Sequence, residues 1–148
     1  MPSSRFEWLD RVKAVEREYG AMRLAADRLL GVVRKDPTAF LGESRIHDLE
    51  VASDGLEATY TIRLFAEFET SLRKFWATLK QTTPPAGDLL NGVGTRRRIP
   101  YDQISNAHHV REYRNTLVHE REEETELIPI AQARGHLCRF LNFLPLEW

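Results

Sequence analysis

The 148-residue chain has one cysteine, Cys138, so it can build neither a disulfide framework nor a thiolate zinc cage. It has no apolar run near the roughly 20 residues that a membrane-spanning helix needs. Neither sign of charge dominates: 21 Lys and Arg face 22 Asp and Glu, a formal net charge of −1. No global positive field therefore draws the chain to nucleic acid or membrane, and any such contact must come from a local patch. Gly92-Val93-Gly94 lacks the following Lys-Ser/Thr and the preceding strand of a phosphate-binding loop, and no motif supports Ser/His/Asp catalysis. No window alternates apolar and polar residues for long enough to make a sheet. The opening Met1-Pro2-Ser3-Ser4-Arg5 lacks the apolar stretch of a secretory leader, which with the lone thiol leads us to expect a soluble cytoplasmic protein without membrane contact.

What is present is helical periodicity. Ser4 and Glu7 form a capping-box pair. Behind them Trp8, Val12, Val15, Tyr19, Met22, Ala26, Leu29 and Val33 recur at alternating steps of four and three, one stripe of a helix that Asp36-Pro37 should end. Gly42 and Ser53-Asp54-Gly55 read as turns around a short helix at Ile46 to Val51. A helix from about Leu56 to Lys80 carries the stripe Phe65, Phe68, Leu72, Phe75, Trp76 and Leu79, and Pro84-Pro85 follow it. Residues 86–100, rich in glycine and arginine, read mostly as loop with one helical turn at Leu89-Leu90. Helices over about Asp102 to Glu120 and Pro129 to Leu144 complete the chain, the latter with the stripe Ile130, Leu137, Cys138, Leu141 and Leu144. These elements predict an all-α fold, an up-and-down bundle of four to five helices in a single domain. Residues 56–144 form its core and residues 1–37 an N-terminal helical extension.

The informative stretch is Arg111-Glu112-Tyr113-Arg114-Asn115-Thr116-Leu117-Val118-His119. At about 100° per residue, Ile104, Ala107, Val110, Tyr113, Leu117 and Val118 spread over one apolar arc with Arg114 in its middle. His108, Glu112, Asn115 and His119 line the other side. A guanidinium inside a core-facing arc needs a partner or a wet interface. Glu69 lies beside the apolar stripe of its own helix, whereas Glu67 points the opposite way. An Arg114–Glu69 ion pair would satisfy both charges, either to fix helix register or to prepare a site. An imidazole can move a proton in either direction near neutral pH, as a general acid or base must. A surface histidine stabilised at a helix end accounts for His119 equally well.

The run Arg114-Asn115-Thr116-Leu117-Val118-His119 resembles the signature of the HEPN superfamily: Arg, a polar residue, a few variable positions, then His. Phe65-Ala66-Glu67-Phe68-Glu69-Thr70-Ser71-Leu72-Arg73 is similar to the first core helix of many members, in which an acidic residue approaches the motif. The resemblance covers roughly Leu56 to Leu144. It implies a helical bundle that dimerises so that two motifs face one cleft, and an endoribonuclease needing neither metal nor cofactor. It also implies a place in toxin–antitoxin or phage-defence systems. In that reading His119 transfers the proton, Arg114 holds the scissile phosphate, Asn115 orients phosphate or imidazole, and Glu69 orients Arg114. The products would end in a 2′,3′-cyclic phosphate. A toxin subgroup with a tyrosine two residues after the histidine is not implied, because that position is Arg121.

Arg96-Arg97-Arg98, with Arg111 and Arg121, are candidate contacts to an RNA backbone, though a solvated loop explains the triple arginine as well. The acidic run Glu120, Glu122, Glu123, Glu124 and Glu126 reads as an exposed turn, a means of repelling excess RNA, or a seat for a basic antitoxin. His108 and Glu112, one turn apart, have no second cluster to complete a metal site. The apolar tail Phe140 to Trp148 reads as core packing, a dimer interface or a segment for a partner's groove. The competing function is a non-catalytic helical module that dimerises or binds a partner or RNA.

Overall fold

The structure is a computed structural model that describes residues 1–39, 45–119 and 126–148. It is all-helical: α1 (Arg5–Lys35), α2 (Ile46–Asp54), α3 (Leu56–Ala77), α4 (Ala86–Arg96), α5 (Tyr101–His119) and α6 (Ile130–Leu141). Among the described residues there is no strand, and one isolated bridge pairs Ser4 with Glu147. No helix among them is long and apolar enough to cross a membrane.

α1 begins on the expected capping box. The Ser4 hydroxyl accepts from the Glu7 amide at 3.2 Å, and Glu7 Oε2 accepts from the Ser4 amide at 3.1 Å. It ends at Asp36, ahead of Pro37. The stripe holds through Trp8, Val12 and Val15 and again at Val33, but not in between. Met22 and Leu29 are exposed, at 46% and 39%, while Leu30 is buried in their place. The reason is length. At about 1.5 Å per residue the helix spans about 46 Å, and beyond Tyr19 it meets α2, where the Arg23 guanidinium donates to Ser53 O at 2.8 Å.

Ion pairs fix the helix directions. Arg11 pairs with Glu67 at 3.1 Å, and Glu18 pairs with Arg63, so α1 and α3 run antiparallel. Arg5 donates to Asn142 O while Glu16 pairs with Arg134, so α1 and α6 are antiparallel too. α5 closes a ring of four by packing against both α3 and α6. The first helix, expected as an extension, is thus one wall of the bundle: Val12 and Val15 share a single core with Phe65, Phe68, Leu72, Val110, Leu137 and Phe140. Phe68 sits edge-on to Phe140 with ring centres 5.5 Å apart. Its burial contributes on the order of 1.5–3 kcal/mol.

Two side chains lock the ends of this ring. Glu57 at the start of α3 accepts from the Ile130 amide at 3.0 Å, satisfying a first-turn donor of α6 that Pro129 cannot cap. Trp148 stacks on Trp8, meets Phe75 edge-on, and donates its indole N–H to Ser71 O at 3.0 Å. The apolar tail is therefore chiefly core: Phe140, Leu141 and Leu144 are buried, although Leu146 is 70% exposed.

Residues 86–96 correct the expectation of a loop. They form α4, eleven residues that bury Leu89, Leu90, Val93 and Gly94. The glycines that read as loop signals are contact points. A Cβ on Gly94 would lie 2.5 Å from Ile104 Cδ1, and one on Gly92 2.8 Å from the Trp76 ring. Gly94 against Ile104 and Gly87 against Arg111 set α4 antiparallel to α5.

Candidate functional site

α5 follows a tight turn in which Arg98 adopts a left-handed φ of 53° and the Ile99 amide donates to Gly94 O at 2.9 Å. Of its residues only Ala107 and Val110 are buried. Ile104 and Tyr113 pack partly against the core, while Val118, expected in the apolar arc, is 43% exposed. Burial and then the charge of Glu57 push the Tyr113 phenol above its ordinary value.

Arg114 points where the helical wheel placed it. Its side chain is 22% exposed, and its guanidinium carbon lies 4.7 Å from the centre of the Phe65 ring. Nη2 stands 3.8 Å from Glu69 Oε2, within reach of an ion pair but too far for a hydrogen bond. Nε is buried without a partner among the described residues. Glu69 is engaged from its own helix as well: Oε1 accepts from Arg73 Nη2 at 2.6 Å and from Nε at 3.2 Å. Arg73 in turn donates to Pro84 O at 2.9 Å. One carboxylate thus sits between two guanidiniums, and the stack on Phe65 holds Arg114 over the edge of the core.

Asn115 is half-buried, and His119 is exposed as the last residue of α5. Five positions at about 100° each separate Arg114 and His119 by roughly 140° around the helix axis. Arg114 therefore leans toward α3 while His119 projects to solvent on another face. Asn115 lies between them in angle, nearer to His119. Within one chain Arg114 and Glu69 come together, and His119 does not join them.

The other candidates lie elsewhere. Arg96, Arg97 and Arg98 are exposed at the opposite end of α5, about 27 Å away along its axis. Arg97 Nε donates to Phe143 O at 2.9 Å. Arg111 faces α4: its Nε donates to His108 Nδ1 at 3.3 Å, and it lies 3.7 Å from Glu112. That bond leaves His108 Nε2 as the donor to Asn91 Oδ1, 2.7 Å away. Burial, and then the positive charge of Arg111, lower the proton affinity of His108. Arg121 and the acidic residues 120–124 lie outside the described residues, whereas Glu126 borders a cleft with His109, Gln132 and His136. Among the described residues no three His, Cys, Asp or Glu side chains converge as a metal would require. Cys138 is buried, which raises its thiol.

Two features went unread in the sequence. One is the Asn91–His108–Arg111 chain, because Asn91 falls in a stretch that reads as loop; the i, i+3 spacing of His108 and Arg111 is its local sign. The other is a cleft between Trp76 and α4, lined also by Lys80 and Arg96. No family model, no curated protein and no solved structure matches this chain.

Proposed function

We propose that this chain is a metal-independent endoribonuclease of the HEPN type, working in the cytoplasm as a homodimer. The observation that carries the reading is the state of Arg114. It is a cation held at the rim of the core by Phe65 and Glu69, five residues before an exposed imidazole at the end of the same helix. RNA carries its own nucleophile, the 2′-hydroxyl, so cleavage needs proton transfer and stabilisation of charge on the phosphate. His119 supplies the first and the planar fork of Arg114 the second. Asn115 orients them, and Glu69 orients Arg114. Since the two groups diverge around one helix, a two-fold axis near the end of α5 supplies what one chain lacks, bringing His119 of each copy toward Arg114 of the other. A toxin or phage-defence role, with a basic antitoxin on the acidic residues after His119, accords with this activity.

The test is incubation of the purified protein with total RNA in EDTA. Cleavage that persists there, leaves 2′,3′-cyclic phosphate ends, and falls by about 10²–10⁴-fold in His119→Ala and in Arg114→Ala supports the enzyme. Equal cleavage by wild type and His119→Ala refutes it. A second reading, a non-catalytic module that dimerises or binds a partner or RNA, is favoured by the sealed Nε of Arg114 and by Arg73 already holding Glu69. In that case Arg114→Ala lowers stability and the wild type cleaves nothing.

A further inference from the structure

The cleft beside Trp76 lies away from Arg114 and His119 and has a composition of its own. Its volume is about 460 Å³, and its walls are Trp76, Leu79 and Lys80 of α3 and the residues just after it, against Asn91, Gly92, Thr95 and Arg96 of α4. That volume falls in the range of about 300–1,000 Å³ typical of small-molecule sites. Two cations line it and no carboxylate does. Among the described residues neither Lys80 nor Arg96 is in an ion pair. Two cations without an acid give the cleft a local positive field on a chain whose net charge is −1, and that field favours an anion.

The rest of the wall selects a flat ring. The indole of Trp76 is only half-buried, and it is fixed in place. Its Nε1 donates to Thr82 Oγ1 at 2.9 Å, and its six-membered edge abuts Gly92, where a Cβ would lie 2.8 Å away. The Lys80 ammonium covers the ring at 5.3 Å from its centre, a position it can leave when another π-surface arrives. Asn91 is oriented too: its Oδ1 takes the His108 Nε2–H, which leaves its amide N–H groups as donors. Thr95 adds a hydroxyl.

From this juxtaposition of a fixed indole, two cations outside any ion pair among the described residues, and an oriented amide, we infer that the Trp76–α4 cleft binds a nucleotide. The base stacks on Trp76, Lys80 and Arg96 take the phosphate, and Asn91 donates to the base. Stacking of bases on aromatic side chains beside a basic groove is how unpaired nucleotides are commonly held. The ligand is either a free nucleotide or an unpaired residue of an RNA strand, and the site does not depend on cleavage at His119.

AMP, which has no phosphodiester to cleave, isolates this inference from the nuclease reading. Calorimetric titration of the full chain with AMP should give one site per chain, and the Trp76 indole N–H resonance should shift with occupancy. The double variant Lys80→Ala/Arg96→Ala changes two exposed side chains, keeps the wild-type melting temperature, and should weaken AMP about tenfold or more. Adenosine alone and inorganic phosphate alone should each bind about tenfold or more weakly than AMP. A 2′-O-methyl oligonucleotide, which lacks the attacking hydroxyl, identifies the source. Competition with AMP assigns the site to an RNA strand, and failure to compete assigns it to the free nucleotide. Absence of AMP binding at millimolar concentration overturns the proposal. So does AMP binding that the double variant leaves unchanged, or that phosphate alone matches.

Discussion

α3 and α5 lie side by side in the ring and make opposite use of their surfaces. α3 buries seven side chains along 22 residues, and α5 buries two along 19. α3 places Phe65, Phe68, Leu72 and Phe75 in the core, whereas α5 gives most of its turns to arginine, histidine and asparagine. α3 supplies a large share of the common core, and its neighbour is held by that core so that polar groups can be carried at its surface. The contrast explains why the candidate chemistry collects on the least apolar helix of the ring.

The comparison can be broken most severely on α3. Phe68→Ala should cost about 3–5 kcal/mol by denaturant unfolding, whereas His119→Ala on α5 should stay within about 0.5 kcal/mol. A similar loss from both would mean that α5 is more deeply packed than its exposure indicates. Next comes the α4–α5 contact. Gly94→Ala drives a methyl into Ile104 and should lower stability by about 1–3 kcal/mol, read as a drop in melting temperature; an unchanged melt would show that Ile104 simply swings aside. Glu69→Gln should be milder, about 0–1 kcal/mol, because both guanidiniums it serves are partly solvated. Under the nuclease reading its cleavage rate should fall by more than its stability does.

The smallest effect is on pH dependence. Burial and Arg111 lower the proton affinity of His108, and burial and Arg139 do the same for His136, below the ordinary 6.5. The unfolded chain therefore binds more protons than the fold just below pH 6.5. The stability of the neutral imidazoles is fully present above that value and is lost as pH falls through it toward the depressed folded values. Melting temperature should decline by a few degrees between pH 7.5 and pH 5.5, and His108→Gln/His136→Gln should flatten the decline. A rise on acidification would show that the imidazoles gain partners when charged.

Much of this architecture was legible from periodicity. The Phe65-to-Phe75 stripe and the Ile130-to-Leu144 stripe are buried as their spacing requires, and the capping box stands at the head of α1. The place of Arg114 near Glu69 followed from angles on two helical wheels. Two misreadings share a cause, which is that local pattern does not state what a residue packs against. Gly92 and Gly94 look like breaks until Trp76 and Ile104 are brought against them. Met22 and Leu29 look like core until α1 proves longer than the helices beside it. The cleft at Trp76 is invisible for the same reason, since half of its wall reads as loop. The divergence of Arg114 and His119 by about 140° around α5 was legible, by contrast, from their spacing of five residues.

Residues 3–5 and 146–148 lie side by side: the Arg5 amide donates to Leu146 O, the Trp148 amide to Ser3 O, and the Arg5 guanidinium to Asn142 O and Leu144 O. The order of helices around the ring is thus separable from the order in which the chain visits them. A short peptide joining residue 148 to residue 1, with new ends opened between the exposed Lys80 and Gln81, would interrupt no helix. Such a circular permutant would present the Trp76 cleft at a chain end, where a fluorophore or an affinity tag could be attached without touching α5.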